Sequence, residues 1–236
     1  MTTRKIFYFS LRSPYSWLAH RELTRRHPEI AAALEWVPYW EPDARSERLL
    51  AETGDVFVYT AMSRPKHFYI LADVRRLATA RGLEITWPVD RDPVWEVPHL
   101  AYLAARAHGR GAEFADRVYR ARWLEGRDIC DPDTMAAVGK EMGLDPGELA
   151  GAADDPALRE EGAGALRRAV HDGVFGVPYF INGHDKYWGL DRLDAFLGTL
   201  GGHGTDDGTP AAGEALPEPA PGARGGGDLD HGGGCG

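Results

Sequence analysis

An α/β fold is predicted by three observations: a β-α-β order at the start of the chain, a β-β-α order at its end, and a long block between them with helical apolar spacing. The first strand candidate is "RKIFYF", residues 4–9, bounded by Ser10 and the pair Ser13-Pro14. From Tyr15 the apolar positions Tyr15, Leu18, Ala19 and Leu23 recur at helical spacing, so strand, tight loop and helix follow one another. The β-rich "LEWVPYW", residues 34–40, makes a second strand ending near Pro38. A β-α-β unit implies parallel pairing across a helical crossover.

The middle of the chain reads as helices. Ile70, Val74 and Leu77 mark one that ends near Gly82, and Phe114, Val118 and Ala121 mark another. Between them "LEITWP" is a strand or an extended segment. "DPDTMAAVGKEMG" opens on acidic residues and a proline, carries Met135, Val138 and Met142 on one face, and stops at Gly143. "DPGEL" starts the next helix with Asp145 as cap, Pro146 in the first turn and Glu148 in the capping-box position. A further helix spans about Pro156 to His171. "VPYFIN", then Asn182-Gly183, then "HDKYW" reads as a hairpin, and "LDRLDAFLGTL" closes the fold as a helix.

The chain therefore divides into 1–42, the first β-α-β half; 43–172, a helical insertion with its return helix; 173–200, the β-β-α half; and 201–236, a glycine- and proline-rich tail. This order is that of a thioredoxin-like fold carrying a large all-helical insertion. The tail, with only Leu216 and Leu229 as large aliphatics, buries too little apolar surface to offset its ordering entropy and is expected to be disordered. No internal repeat is visible.

A chain of 236 residues with 43% hydrophobic residues can bury a substantial core. Its net charge of -9 argues against broad attraction to nucleic acid or anionic membranes. The start has no signal-like apolar core, and no apolar run is long enough to span a bilayer, so a cytoplasmic location is expected. Two cysteines, Cys130 and Cys235, form neither a Cys-x-x-Cys pair nor a zinc site, and no ligand spacing among the nine histidines indicates a metal.

The helix start at Ser13 offers unpaired backbone N–H groups and a partial positive charge, which stabilise an anion and lower the pKa of a thiol. Three segments carry a resemblance: "FYFSLRSPYSWLA", "KHFYILADVRRLA" from Lys66, and "GVFGVPYFINGHDKYWGLDRL" from Gly173. Through them residues 4 to about 200 resemble the 2-hydroxychromene-2-carboxylate isomerase family. That family lies within the DsbA-like thioredoxin-fold proteins, related to kappa-class glutathione transferases. In the disulfide-oxidoreductase branch the loop before the first helix carries Cys-x-x-Cys. Here Ser13, Pro14, Tyr15 and Ser16 stand there, and without sulfur the chain is not expected to exchange disulfides.

The resemblance implies glutathione, or another low-molecular-weight thiol, as cofactor, and a small conjugated carbonyl or polyene as substrate. It implies that Ser13 is catalytic, donating a hydrogen bond to the bound sulfur. Val177, before an expected cis Pro178, would pair with the cysteinyl part of the thiol, and Trp188, Gly189, Leu190 and Asp191 match a second thiol-binding segment. Trp40 and Lys66 would form the substrate wall, with Lys66 facing a carboxylate or enolate. The resemblance is also compatible with a homodimer.

Local chemistry supplies plainer readings. Ser13 is equally a helix cap, and Asp191 a cap of the last helix. Trp188, Tyr15 and Trp17 read as packing residues, and Lys66 as a solvated helix position. The expected activity is thiol-dependent isomerisation by reversible thiolate addition, bond rotation and elimination. The alternatives are a kappa-type glutathione transferase and a non-catalytic binding or chaperone module.

Overall fold

The computed structural model describes residues 3–57 and 62–201. The first strand, β1 (Lys5–Phe9), is buried on both faces, so its side chains supply two cores at once. Helix α1 (Pro14–Arg26) and the short α2 (Pro28–Ala33) lead to β2 (Glu35–Pro38). The insertion follows with α3 (Ala44–Ala51), α4 (Arg64–Thr79), α5 (Glu96–Ala107), α6 (Gly111–Trp123), α7 (Pro132–Met142) and α8 (Pro146–Gly151). Helix α9 (Pro156–His171) returns to β3 (Tyr179–Asn182), β4 (Asp185–Trp188), a 3-10 turn at Leu190–Arg192 and α10 (Leu193–Gly201).

The sheet order is β2-β1-β3-β4, with β1 and β2 parallel and the other neighbours antiparallel, as in a thioredoxin fold. On one face Phe7 stacks on Phe180 with ring centroids 5.0 Å apart, and Phe180 stacks on Phe196 of α10 at 5.0 Å. Phe9 on the same face meets Tyr102 of α5 edge-on at 4.9 Å, which fastens the insertion to the sheet. Ile6 and Tyr8 point the other way and pack with Val37, Ile181 and Ala169 of α9. The strand reads as a near-continuous apolar run because both of its faces are covered.

Helices α7, α8 and α9 begin alike. Asp131, Asp145 and Asp155 each accept backbone N–H bonds within the first turn, and each is followed by proline. Glu148 does not complete the capping box expected of it; its carboxylate meets the His108 ring 3.0 Å away. "LEITWP" forms no strand, because Thr86 donates from its N–H to Trp123 O and from its hydroxyl to Leu124 O, tying the segment to the end of α6.

Three helices escape the sequence reading: α2, α3 and α5. In α5 every residue from Glu96 to Ala105 is buried, the polar Glu96 and His99 included. Gly162 of α9 permits the close approach of this helix, since a Cβ there would lie 2.5 Å from Leu100 Cδ2. Among the described residues no helix is long and apolar enough to cross a membrane. The tail from residue 202, including Cys235, lies outside the described residues.

His20 of α1 has no exposed surface, and among the described residues neither ring nitrogen has a hydrogen-bond partner. Burial lowers its pKa to about 4. The folded protein therefore holds His20 neutral where the unfolded chain, titrating near the ordinary histidine value, takes up a proton. Stability contributed by the neutral ring is present above that value and is lost as pH falls toward 4. His20→Phe is expected to flatten the stability profile between pH 6 and 4.5 by up to about 1.4 kcal/mol per pH unit, read by urea unfolding at each pH.

Candidate functional site

The loop from β1 to α1 is built from its own backbone and from the insertion. Ser13 N–H donates to Ser10 O at 3.1 Å, closing a turn, and the Ser13 side chain then caps α1. Its Oγ accepts from Ser16 N at 3.2 Å, so the hydroxyl proton is directed elsewhere. Pro14 opens the helix, no acidic residue occupies the first turn, and Arg25 and Arg26 stand in the last. The positive end of α1 is thus not neutralised by a carboxylate of its own.

Insertion side chains grip the same loop. Leu11 N–H donates to His99 Nε2 at 3.0 Å, and the Ser10 hydroxyl lies 3.2 Å from the same nitrogen. Tyr119 Oη donates to Ser10 O at 3.0 Å, and Arg122 Nε to Arg12 O at 3.4 Å. Arg122 is buried, forks onto both Asp90 carboxylate oxygens at 2.8 and 2.9 Å, and lies over the rings of Trp95 and Trp123.

On the other side of the sheet's end, the Val177–Pro178 peptide is cis. Pro178 O accepts from Gly189 N at 2.9 Å, which draws the segment after β4 back over the proline. Gly189 has φ 103, and a Cβ there would fall 2.6 Å from Asp191 Oδ1, so only glycine fits without rearrangement. Among the described residues no backbone hydrogen bond takes up the N–H or C=O of Val177. Those two groups are the pair an extended peptide would use.

A cavity of about 690 Å³ joins these parts. Its walls include Val177, Pro178, Trp188, Gly189, Leu190 and Asp191 on the sheet side, Tyr15 from the first turn of α1, and Lys66, Tyr69, Ile70 and Asp73 from α4. Seven of the nine residues expected at a site therefore line one cavity. Ser13 and Trp40 are not in its lining. Ser13 is fully buried two residues ahead of Tyr15, which does reach the cavity. Trp40 is buried with its ring stacked on His99, centroids 5.0 Å apart, and so supports the insertion's inner layer.

The plain readings now separate. Trp188 is 40% exposed and lines the cavity, with Phe175 edge-on to it at 4.8 Å, whereas Trp17 is buried against Trp123. Asp191 lies inside the 3-10 turn that leads into α10, with Arg192 Nε 3.8 Å from its carboxylate. Among the described residues no carboxylate pairs with Lys66, although α4 presents its stem to the cavity. Tyr15 donates from its hydroxyl to Asp73 at 2.8 Å, bridging α1 and α4 across one wall. Tyr69 and Asp73 went unremarked in the sequence, since their role depends on where α4 docks.

Cys130 is half-buried, and desolvation together with Asp128 pushes its thiol up to about 12, so it is held protonated. Among the described residues no group of three or more His, Cys, Asp or Glu side chains is placed to hold a metal ion.

A family model described as the DSBA-like thioredoxin domain matches residues 6–201. A protein of Sphingobium xenophagum named 2-hydroxychromene-2-carboxylate isomerase is 28% identical over 195 residues, covering 82% of this chain and 96% of its own length. The solved structure of a 2-hydroxychromene-2-carboxylate isomerase superposes with a TM-score of 0.64 at 23% identity, covering 84% of this chain and 94% of the other. The cytosolic disulfide reductase DsbM from Pseudomonas aeruginosa, solved with GSH, gives a TM-score of 0.50 at 20% identity over 84% of this chain and 98% of that one.

The cap geometry makes a separate claim about stability. Ser13→Ala is expected to cost about 1 kcal/mol, the ordinary value of a lost N-cap, measured as a lower urea midpoint at unchanged slope. Ser13→Thr, which keeps a neutral hydroxyl acceptor, should recover part of that loss.

Proposed function

The chain belongs to the DSBA-like thioredoxin domain family, and we propose that within it the protein is a thiol-dependent isomerase of small conjugated carbonyl or polyene compounds. The observation that carries this reading is the cavity itself. It sets the cis-proline segment and its free Val177 backbone groups beside a helix start that has serines where an oxidoreductase needs sulfur. The similarity to proteins named as 2-hydroxychromene-2-carboxylate isomerases points the same way.

The residues present suit glutathione or a related low-molecular-weight thiol. Val177 N–H and C=O would pair with an extended cysteinyl backbone, and the Asp191 carboxylate, exposed at the rim, would meet an amino group. The Ser13 hydroxyl, buried two residues ahead of the cavity-lining Tyr15, has its acceptor side occupied by Ser16 N–H and would donate its proton to a sulfur reaching the start of α1. The end of α1 favours the anionic form there. When bound, the thiol supplies a nucleophile that adds reversibly to a conjugated carbon and leaves unchanged after the intervening single bond has rotated.

This chain's own part is to hold and polarise the substrate. The Lys66 ammonium, unpaired among the described residues, would stabilise a carboxylate or the oxyanion of an enolate. Trp188, Tyr69 and Ile70 offer apolar surface to a planar conjugated skeleton.

The test is incubation with a panel of conjugated carbonyl compounds, with and without glutathione, following E/Z isomers and adducts by mass-resolved chromatography. Isomers should form only with thiol present, and thiol should not be consumed. A stable conjugate formed in step with thiol loss would instead identify a transferase. Ser13→Ala should lower thiol-dependent turnover by about 10- to 100-fold, the worth of one hydrogen bond to a charged group. Lys66→Met should raise KM about tenfold for carboxylate substrates and leave neutral ones nearly unchanged.

A further inference from the structure

His99 has no place in the binding site proper, yet its ring is the point where the insertion meets the loop ahead of α1. Three observations define its chemistry. Nδ1 lies 2.6 Å from Trp95 O, and since a carbonyl only accepts, Nδ1 carries the proton. Burial holds the imidazole neutral, and the nearby Arg12 and Arg122 guanidinium groups disfavour a second proton. Nε2 is therefore an acceptor, and it receives Leu11 N–H at 3.0 Å beside the Ser10 hydroxyl at 3.2 Å.

The other two insertion contacts to this loop are donors: Tyr119 to Ser10 O and Arg122 to Arg12 O. His99 is the acceptor of the set. Leu11 has no exposed surface, so without that acceptor its N–H would be buried and unpaired, a costly state that the loop would relieve by moving. The ring itself has little freedom, being stacked on Trp40 at an interplanar angle of 16°.

We propose that His99 is a positioning residue, whose Nε2 holds the Ser10–Ser13 loop so that the Ser13 hydroxyl and the start of α1 are presented to the thiol sulfur. This rests on the reading of the site as a thiol site. The local sequence of α5 gives no hint of it, because the contact spans 88 residues of chain.

Two amides of unequal length separate positioning from general stability. In His99→Gln the amide oxygen reaches the place of Nε2, and in His99→Asn it reaches only the place of Nδ1. The readout is the pH at which the thiol of bound glutathione ionises, followed by ultraviolet thiolate absorbance, with mercaptoethanol at saturating concentration as a second probe. The unsubstituted protein should ionise the bound thiol below its free pKa. His99→Gln should keep the thiolate fraction within about twofold, whereas His99→Asn should reduce it about tenfold at neutral pH, one pKa unit.

Equal thiolate fractions in the two variants would overturn the positioning role while leaving the thiol site intact. An unsubstituted protein that leaves both thiols unshifted would overturn the thiol site first and this proposal with it. Tyr119→Phe, which removes only the hydroxyl bonded to Ser10 O, covers the case in which both amide variants fail to fold. It should shift ionisation in the same direction as His99→Asn, and an unchanged value would count against the loop's placement mattering.

Discussion

The hydrogen-bonded grip of the insertion on residues Ser10–Ser13 is the interaction on which the arrangement of the site depends. A strand that ends at Phe9 and a helix that begins at Pro14 leave four residues whose backbone must be satisfied within a buried turn. The turn meets part of that need itself, through Ser13 N–H to Ser10 O and Ser16 Oγ receiving Ser10 N–H. The remainder comes from His99, Tyr119 and Arg122, all on helices that begin more than 80 residues later. The thioredoxin-like half supplies the helix end, and the insertion decides where it points.

The insertion is in turn held by buried polar groups as well as by its apolar layer. Arg159 of α9 donates to Asp43 Oδ2 at 2.7 Å and to Ser46 Oγ at 3.2 Å, while the buried Glu96 accepts Asp43 N–H at 2.7 Å. These contacts fasten the starts of α3 and α5 to α9, and α9 covers the second face of the sheet. Breaking one member of such a set leaves a buried charge uncompensated, so its value lies in fixing one geometry more than in adding stability. On that second face Asp172 accepts from Tyr8 at 2.5 Å and Arg4 at 2.7 Å, fixing the end of α9 just before the cis-proline segment.

Seen together, the cavity is a joint product of the two parts. The cis Val177–Pro178 peptide and the Trp188–Asp191 segment offer backbone groups and an apolar edge, and α4 offers Lys66, Tyr69 and Asp73 opposite. Among the described residues nothing in this arrangement replaces the sulfur that disulfide chemistry requires. Cys130 is held as a thiol by its surroundings, and Ser13 and Ser16 are engaged with backbone N–H groups. On the proposed reading the thiol is brought in by a ligand, and the protein contributes orientation and a favourable field.

The strands, the Asp-Pro helix starts and most helices are legible in the sequence because they rest on local physics: a short apolar run in "KIFYF" bounded by Ser10, Ser13-Pro14 at a helix start, Asp before Pro at three others. Through the resemblance, "SPYS" and "FGVPYF" with "WGLDRL" also singled out segments from which Tyr15, Val177, Pro178 and Trp188 line one cavity. What the sequence did not carry were α2, α3 and α5, and the roles of Tyr15, Tyr69 and Asp73, which depend on the docking of α4. Local chemistry reads Lys66 as solvated and Trp188 as packed, the resemblance reads both as site residues, and tertiary structure sets them in the lining of one cavity with Val177 and Pro178. The His99 contact was invisible for a similar reason: a hydrogen bond across 88 residues leaves no period or spacing in the chain, and its partner is a backbone N–H that any residue would provide.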